Sequence, residues 1–200
     1  MNDFAAMVGE ITQDFVLECV TYDIEYYRSE LAVSRLSGTV DRIPILISKR
    51  NLNRFGIEKG NTVKVEGILR SYRVSGIRKK HTKLMLLIKT VEFCEEIDCA
   101  NNNYVCLEGV ICQPGNYHKT PMGRDLTDTL LRVDLAHGKF AKIPCLFWEQ
   151  YALDAAQFSV GTRVMVEGRL QSRKYDKKYD NVKLIRTTHE VSVYNLEVRG

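Results

Sequence analysis

Apolar and polar positions alternate along this chain in a pattern that is written twice. Val63, Val65 and Leu69 alternate with polar neighbours, and Val164, Val166 and Leu170 repeat the arrangement about a hundred residues later. A period of two is that of a strand with one face in a core. Ile43, Ile45 and Ile47 match Ile143, Cys145 and Phe147 in the same way. Gly67 and Gly168 interrupt the first pair of strands at equivalent positions. Glycine inside a strand predicts a bulge or sharp bend, the device that lets a small sheet curl into a barrel. The helical period shows best between Glu149 and Phe158, where Tyr151, Ala152, Ala155 and Ala156 line a narrow apolar stripe. The matching stretch, Lys49 to Ile57, has a weaker helical pattern, down to that of a single turn.

The repeat extends beyond these strands. Gly60, Gly67, Leu69 and Ser71 pair with Gly161, Gly168, Leu170 and Ser172 at an offset of 101, whereas Gly9 and Pro44 pair with Gly109 and Pro144 at an offset of 100. One extra residue in a loop of the second copy accounts for the change. A spacing this long is that of a duplicated domain, since solenoid repeats run about 20–50 residues. The 200 residues suit two domains of ordinary size. Domain 1 is expected over 1–96 and domain 2 over 104–200, with the aperiodic, polar 97–103 as linker. Strands, a short helix, then a long hairpin describe each copy. The expected fold is all-β: two tandem OB-folds, each a five-stranded Greek-key barrel with a short helix between strands three and four.

Composition excludes several classes. No apolar run approaches the roughly 20 residues of a membrane span, and no basic stretch precedes the short apolar patch at the start, so a cytoplasmic location is expected. The six cysteines (19, 94, 99, 106, 112 and 145) contain no Cys-x-x-Cys pair and read as buried reduced thiols. His81, His118, His137 and His189 are isolated, so neither a metal nor a cofactor is expected. Glu66 and Glu167 alternate with core valines and have no neighbouring carboxylate, and no phosphate-binding glycine loop is present, which argues against an enzyme.

Charge adds the positive clue. The net charge is only +4, but no acidic residue lies between Gly67 and Val91, where Arg70, Arg73, Arg78, Lys79, Lys80, Lys83 and Lys89 fall. The equivalent stretch of the second copy holds Arg169, Arg173, Lys174, Lys177, Lys178, Lys183 and Arg186. One such run is usually a solvated surface; two at matched places predict a groove for a polyanion. Strand parity sharpens the site. With Val164, Val166 and Leu170 inward, Arg169, Gln171, Arg173 and Tyr175 face out, and with Ile143, Cys145 and Phe147 inward, Lys142, Pro144 and Trp148 face out. One tryptophan and one tyrosine among cations is the composition of a stacking platform beside a phosphate-tracking groove. The corresponding outward set of the first copy is Arg42, Arg70 and Tyr72.

The second half resembles the bacterial single-stranded DNA-binding protein family from Asn103 to Val198. The similarity is carried by Asn103-Tyr104-Val105-Cys106-Leu107-Glu108-Gly109, by Ile143-Pro144-Cys145-Leu146-Phe147-Trp148 and by Glu167-Gly168-Arg169-Leu170-Gln171-Ser172-Arg173-Lys174-Tyr175. The first half resembles it more distantly, through Gly9, Pro44, Gly60 and Glu66 to Tyr72. The resemblance implies cooperative, sequence-tolerant binding of single-stranded DNA, in replication, recombination or repair. Trp148 and Tyr175 match base-stacking aromatic positions of the family. Lys142 stands where the family often has a further tryptophan, with Phe140 beside it, and Ser48 takes the place of Trp148 in the first copy. The family's disordered acidic tail has no counterpart in Glu197-Val198-Arg199-Gly200. Family members with one domain form tetramers, so a homodimer presenting four OB-folds is expected here, with Tyr22, Tyr26, Tyr27 and Tyr104 as candidates for the contact. Single-stranded RNA binding and a protein-docking or primosomal accessory role stay open as alternatives.

Overall fold

A computed structural model describes residues 3–75, 80–179 and 182–199 of the chain. The first copy contributes β1 (Asp3–Ile11), β2 (Val16–Thr21), β3 (Ile24–Ser34), β4 (Val40–Ser48), α1 (Lys49–Phe55), β5 (Thr62–Ser75) and β6 (Lys80–Phe93). The second contributes β7 (Asn103–Ile111), β8 (Asn116–Lys119), β9 (Asp125–Asp134), β10 (Phe140–Trp148), α2 (Gln150–Ala156), β11 (Arg163–Tyr179) and β12 (Val182–Arg199). In the first copy β1, β3, β4, β6 and β5 close a five-stranded barrel: β1 pairs with both β3 and β5, and β4 meets β6 in parallel at Ile45↔Leu86. β7, β9, β10, β12 and β11 do the same in the second, with Cys145↔Val191 as the parallel closure. Each OB barrel thus has its helix between the third and fourth barrel strands. The short edge strands β2 and β8 are additions the residue pattern did not show; every position in them but Cys19 is exposed.

The inward residues behave as their alternation dictates. Ile43, Ile45, Ile47, Val63, Val65 and Leu69 are buried, as are Ile143, Cys145, Phe147, Val164, Val166 and Leu170. Burial of each such side chain stabilises the fold by roughly 1.5–3 kcal/mol. Both strand glycines sit at bulges, where the register shifts between Glu66 and Gly67 and between Glu167 and Gly168. A Cβ at Gly67 would lie 2.0 Å from the Leu87 carbonyl oxygen, and one at Gly168 2.5 Å from that of Ser192. Backbone runs against backbone there, so no side chain fits.

Two local expectations need correction. The helix of the first copy is as long as that of the second, because the Ser48 hydroxyl accepts from the Asn51 amide at its start and Gly56 ends it in the left-handed region. Only Cys145 among the cysteines is buried; the others are partly exposed, and all six are free thiols. The offset change also finds its residue. β4 and β10 match at an offset of 100 and α1 and α2 at 101, so the extra residue is Glu149, held at φ 52° between β10 and α2.

The two barrels join through their first strands. β1 and β7 pair antiparallel with Asp3↔Leu107, Ala5↔Val105 and Met7↔Asn103, which merges both sheets into one. Exchanging each residue for its repeat counterpart maps the first of these pairs onto the last, so the junction has twofold character centred on Ala5 and Val105. A second layer of contacts obeys the same symmetry: the Arg42 amide donates to Ser172 Oγ at 3.4 Å, and the Lys142 amide donates to Ser71 Oγ at 3.0 Å. Among the described residues no helix is long and apolar enough to cross a membrane.

Candidate nucleic-acid interface

β11 is held by β7 only as far as Gly168; beyond that residue it pairs with β12 alone, as a two-stranded ribbon leaving the barrel. Its outward residues line a run of connected clefts. The first, about 430 Å³, lies where the barrels meet and is lined by Lys83, Pro44, Lys142, Pro144, Tyr175 and Arg186, among others. It shares Leu130, Pro144 and Thr188 with a second cleft of about 670 Å³, which reaches Gln171, Arg173 and Trp148. Trp148 and Gln171 in turn border a third, of about 500 Å³, that continues to Arg124, Arg169 and Tyr194. A single groove therefore crosses the outer face of the second barrel from the domain junction to α2.

Trp148 stands half-buried in the wall of this groove. Its Nε1 donates to Ser192 Oγ at 2.9 Å, and the Arg124 guanidinium lies 4.8 Å over its ring. Arg124 is itself held by Glu149, with Nε 2.6 Å from Oε1. The extra residue of the second copy thus anchors a cation on the indole. A base that stacks on Trp148 must take the opposite ring face or displace that guanidinium. Arg124 and Glu149 escaped the sequence reading, and the one signal for them was the change of repeat offset. Tyr175 is 37% exposed, and Phe140, at the start of β10, 51%.

The proposed cations divide into those engaged by carboxylates and those that are not. Arg173 forms a two-pronged pair with the buried Glu190, at 3.0 and 3.2 Å. Arg169 reaches the buried Asp41 of the first domain at 3.6 Å, and Arg42 binds Glu30 at 2.8 Å. Lys83, Lys142 and Lys174 are exposed and have no ion pair among the described residues. Arg70 is half-buried near Asp3. Arg73, Lys80, Lys177 and Lys178 lie on the distal parts of β5, β6 and β11, while Arg78 and Lys79 lie outside the described residues.

The first copy corrects its own expected site. Pairing registers place Ile68, Tyr72, Met85 and Leu87 where the second copy has Arg169, Arg173, Glu190 and Ser192. Leu46, Met85 and Leu87 are buried there on the outer side of the barrel wall, with Tyr26, Ile68 and Tyr72 packed against them. Burial pushes the Tyr72 phenol up to about 12, with Tyr26, Glu18 and Cys19 nearby. Tyr72 therefore packs, half-buried, on a satellite core at the outer side of the barrel wall. Tyr27 packs on the main core, and Tyr22, at the β2–β3 turn, is met by Lys139 Nζ at 4.9 Å. The face that forms a groove in one barrel is filled in the other.

Comparison with known proteins follows the same division. No curated protein sequence matches the chain. The crystal structure of wild-type single-stranded DNA binding protein from Thermus aquaticus superposes with a TM-score of 0.78 at 18% identity, over 99% of this chain and 93% of that one. A deletion mutant of the same protein matches with a TM-score of 0.72 at 18% identity, over 98% and 94%. These likenesses show a shared fold along the whole length. Residues 102–198, which make up the second copy, match the single-strand binding protein family.

Proposed function

We propose that the chain binds single-stranded DNA without regard to sequence, along the groove of its second barrel. The observation that supports this best is the continuity of that groove: Tyr175 and Trp148 stand at two points along it, with Lys142 and Arg186 at one end and Arg124 at the other. Aromatic faces accept any base, and cations track the phosphates between them. The family is one of binding proteins, and the chain is not an enzyme. Domain 2, residues 104–200, leads the binding, and domain 1, residues 1–96, supports it across the linker. Quenching of the single tryptophan by oligo(dT) of increasing length tests the assignment, because Trp148 lines the groove. Matched ribo-oligomers added in competition distinguish DNA from RNA. Absence of quenching and of any mobility shift would remove the reading altogether.

Salt should weaken this binding steeply, since each phosphate contact on a single strand contributes about −0.7 to the log–log slope. Lys142→Ala and Lys174→Ala should each flatten the slope by about that amount and leave base preference unchanged. A slope equal to the parent's in both variants would take these lysines off the DNA path.

The chain is further proposed to act as a homodimer presenting four barrels. With Tyr26 and Tyr27 committed to packing, Phe4 and Tyr104 are the aromatic pair left near the dyad, their ring centroids 6.2 Å apart on the strands that join the two domains. Their half-exposed rings on a surface with its own twofold character suit a self-complementary contact. Light scattering at micromolar concentration should report about twice the 23.0 kDa chain mass. A mass equal to one chain would exclude the dimer.

A further inference from the structure

Asp41 is a fully buried carboxylate on the first domain's β4, and what it holds belongs largely to the second domain. Arg35 donates to it through Nε at 2.8 Å and Nη2 at 2.6 Å. From the other barrel, the Ser172 amide donates to Oδ1 at 2.8 Å and the Ser172 hydroxyl to the same oxygen at 3.1 Å, while Arg169 Nη2 stands 3.6 Å from Oδ2. Around this hub, Arg35 Nη2 reaches the Ser172 carbonyl oxygen at 3.4 Å, and His189 Nε2 meets the Arg42 carbonyl oxygen at 2.8 Å. Both strands of the second domain's ribbon, β11 at Ser172 and β12 at His189, are fastened to β4 where they leave their own barrel.

The counterpart across the dyad lacks this device. Ala141 occupies the place of Asp41, and among the described residues of the other barrel only the Lys142 amide binds Ser71. The asymmetry falls where the two copies differ in use. The ribbon clamped by Asp41 carries Arg173, Lys174 and Tyr175 directly after Ser172, whereas the first copy's equivalent face is filled by apolar packing. A two-stranded ribbon has little stability of its own, so its direction is set by what grips it. We infer that Asp41 is a positioning residue: the first domain uses it to aim the second domain's DNA-binding ribbon. This rests on the function proposed above. A groove held in its binding geometry before DNA arrives pays less ordering cost when it binds.

Asp41→Asn tests the assignment, because charge and positioning predict opposite signs. Removing a negative charge near a polyanion site should tighten binding if electrostatics alone mattered. Loss of the clamp should weaken it. The expected result for Asp41→Asn, folded by circular dichroism at 25 °C, is at least a tenfold rise in Kd for oligo(dT). Its salt slope should equal the parent's, since no phosphate contact is removed, and the Ser172 amide should exchange faster. Should that variant fail to fold, Arg35→Lys provides the same test at constant charge, because lysine cannot span both oxygens of Asp41. It too should bind several-fold more weakly. Binding as tight as the parent's, or tighter, in the folded variant overturns the inference. Failure of the parent itself to bind oligo(dT) would instead strike the proposed function.

Discussion

Asp3→Asn should stabilise the chain at pH 8 by on the order of 3 kcal/mol, and by almost nothing near pH 3. Asp3 is buried at the junction of β1 and β7, where Oδ1 accepts from the Leu69 amide at 3.0 Å and Oδ2 has no partner among the described residues. Its repeat counterpart is Asn103, which solves the same site fully: Oδ1 accepts from the Leu170 amide at 2.9 Å, and Nδ2 donates to the Leu170 carbonyl oxygen at 2.7 Å. Desolvation raises the Asp3 pKa from 3.8 to about 6 against the lowering effects of Leu69 and Arg70. Between those two values the native chain retains a proton that the unfolded chain releases, so stability falls as pH rises. Below pH 3.8 both states are protonated and the penalty vanishes; above about 6 it is complete. Asparagine never ionises and supplies the missing donor. Urea unfolding of parent and variant between pH 3 and 8 measures the difference. Curves that stay parallel across that range would show that Asp3 carries no such penalty.

The second large effect concerns the groove. Trp148→Ala and Tyr175→Ala should each weaken binding to single-stranded DNA by about 1–3 kcal/mol, the contribution of one stacked base. Of the two, Trp148 should be the more complicated. Its removal also frees Arg124 and leaves the Ser192 hydroxyl without its indole donor. Arg124→Ala separates these contributions. If the guanidinium shields the ring, that variant should bind more tightly at high salt, where its charge matters least; if the guanidinium meets phosphate, it should bind more weakly at every salt concentration. Anisotropy titrations with labelled oligo(dT) would decide. Parent-like affinity in both folded Trp148→Ala and Tyr175→Ala would reject stacking at these positions.

Much of this molecule follows from local rules that a linear sequence carries openly. Alternation at Val63, Val65 and Leu69 and at their counterparts specifies which strand face is inside, because successive side chains point to opposite sides of a sheet. Gly67 and Gly168 announce the bulges that close the barrels. The duplication shows that the fold occurs twice, and strand parity places Trp148 and Tyr175 on an outer face. Apart from the duplication, which is read from matches about a hundred residues apart, each of these is decided within a few residues of chain.

What the tertiary structure decided are pairings between distant strands, on which parity is silent. Parity calls Tyr72 and Arg173 equivalent and outward, yet one lies against Leu46, Met85 and Leu87 and the other beside Glu190 and the groove. An outward residue can be covered by another element or can open to solvent, and that depends on the identity of side chains on the strand alongside. The same holds for charge. Arg169 and Arg173 add to a basic run in the sequence and Arg42 to the outward set of the first copy, but each is engaged by a carboxylate from another strand, and one of those carboxylates crosses from the other domain. Asp41 itself has no distinguishing sequence context. Arg35 pairs with it from within the first domain, but only the dyad formed by β1 and β7, which brings β4 of one barrel against β11 of the other, adds Ser172 and Arg169 as partners of that buried charge.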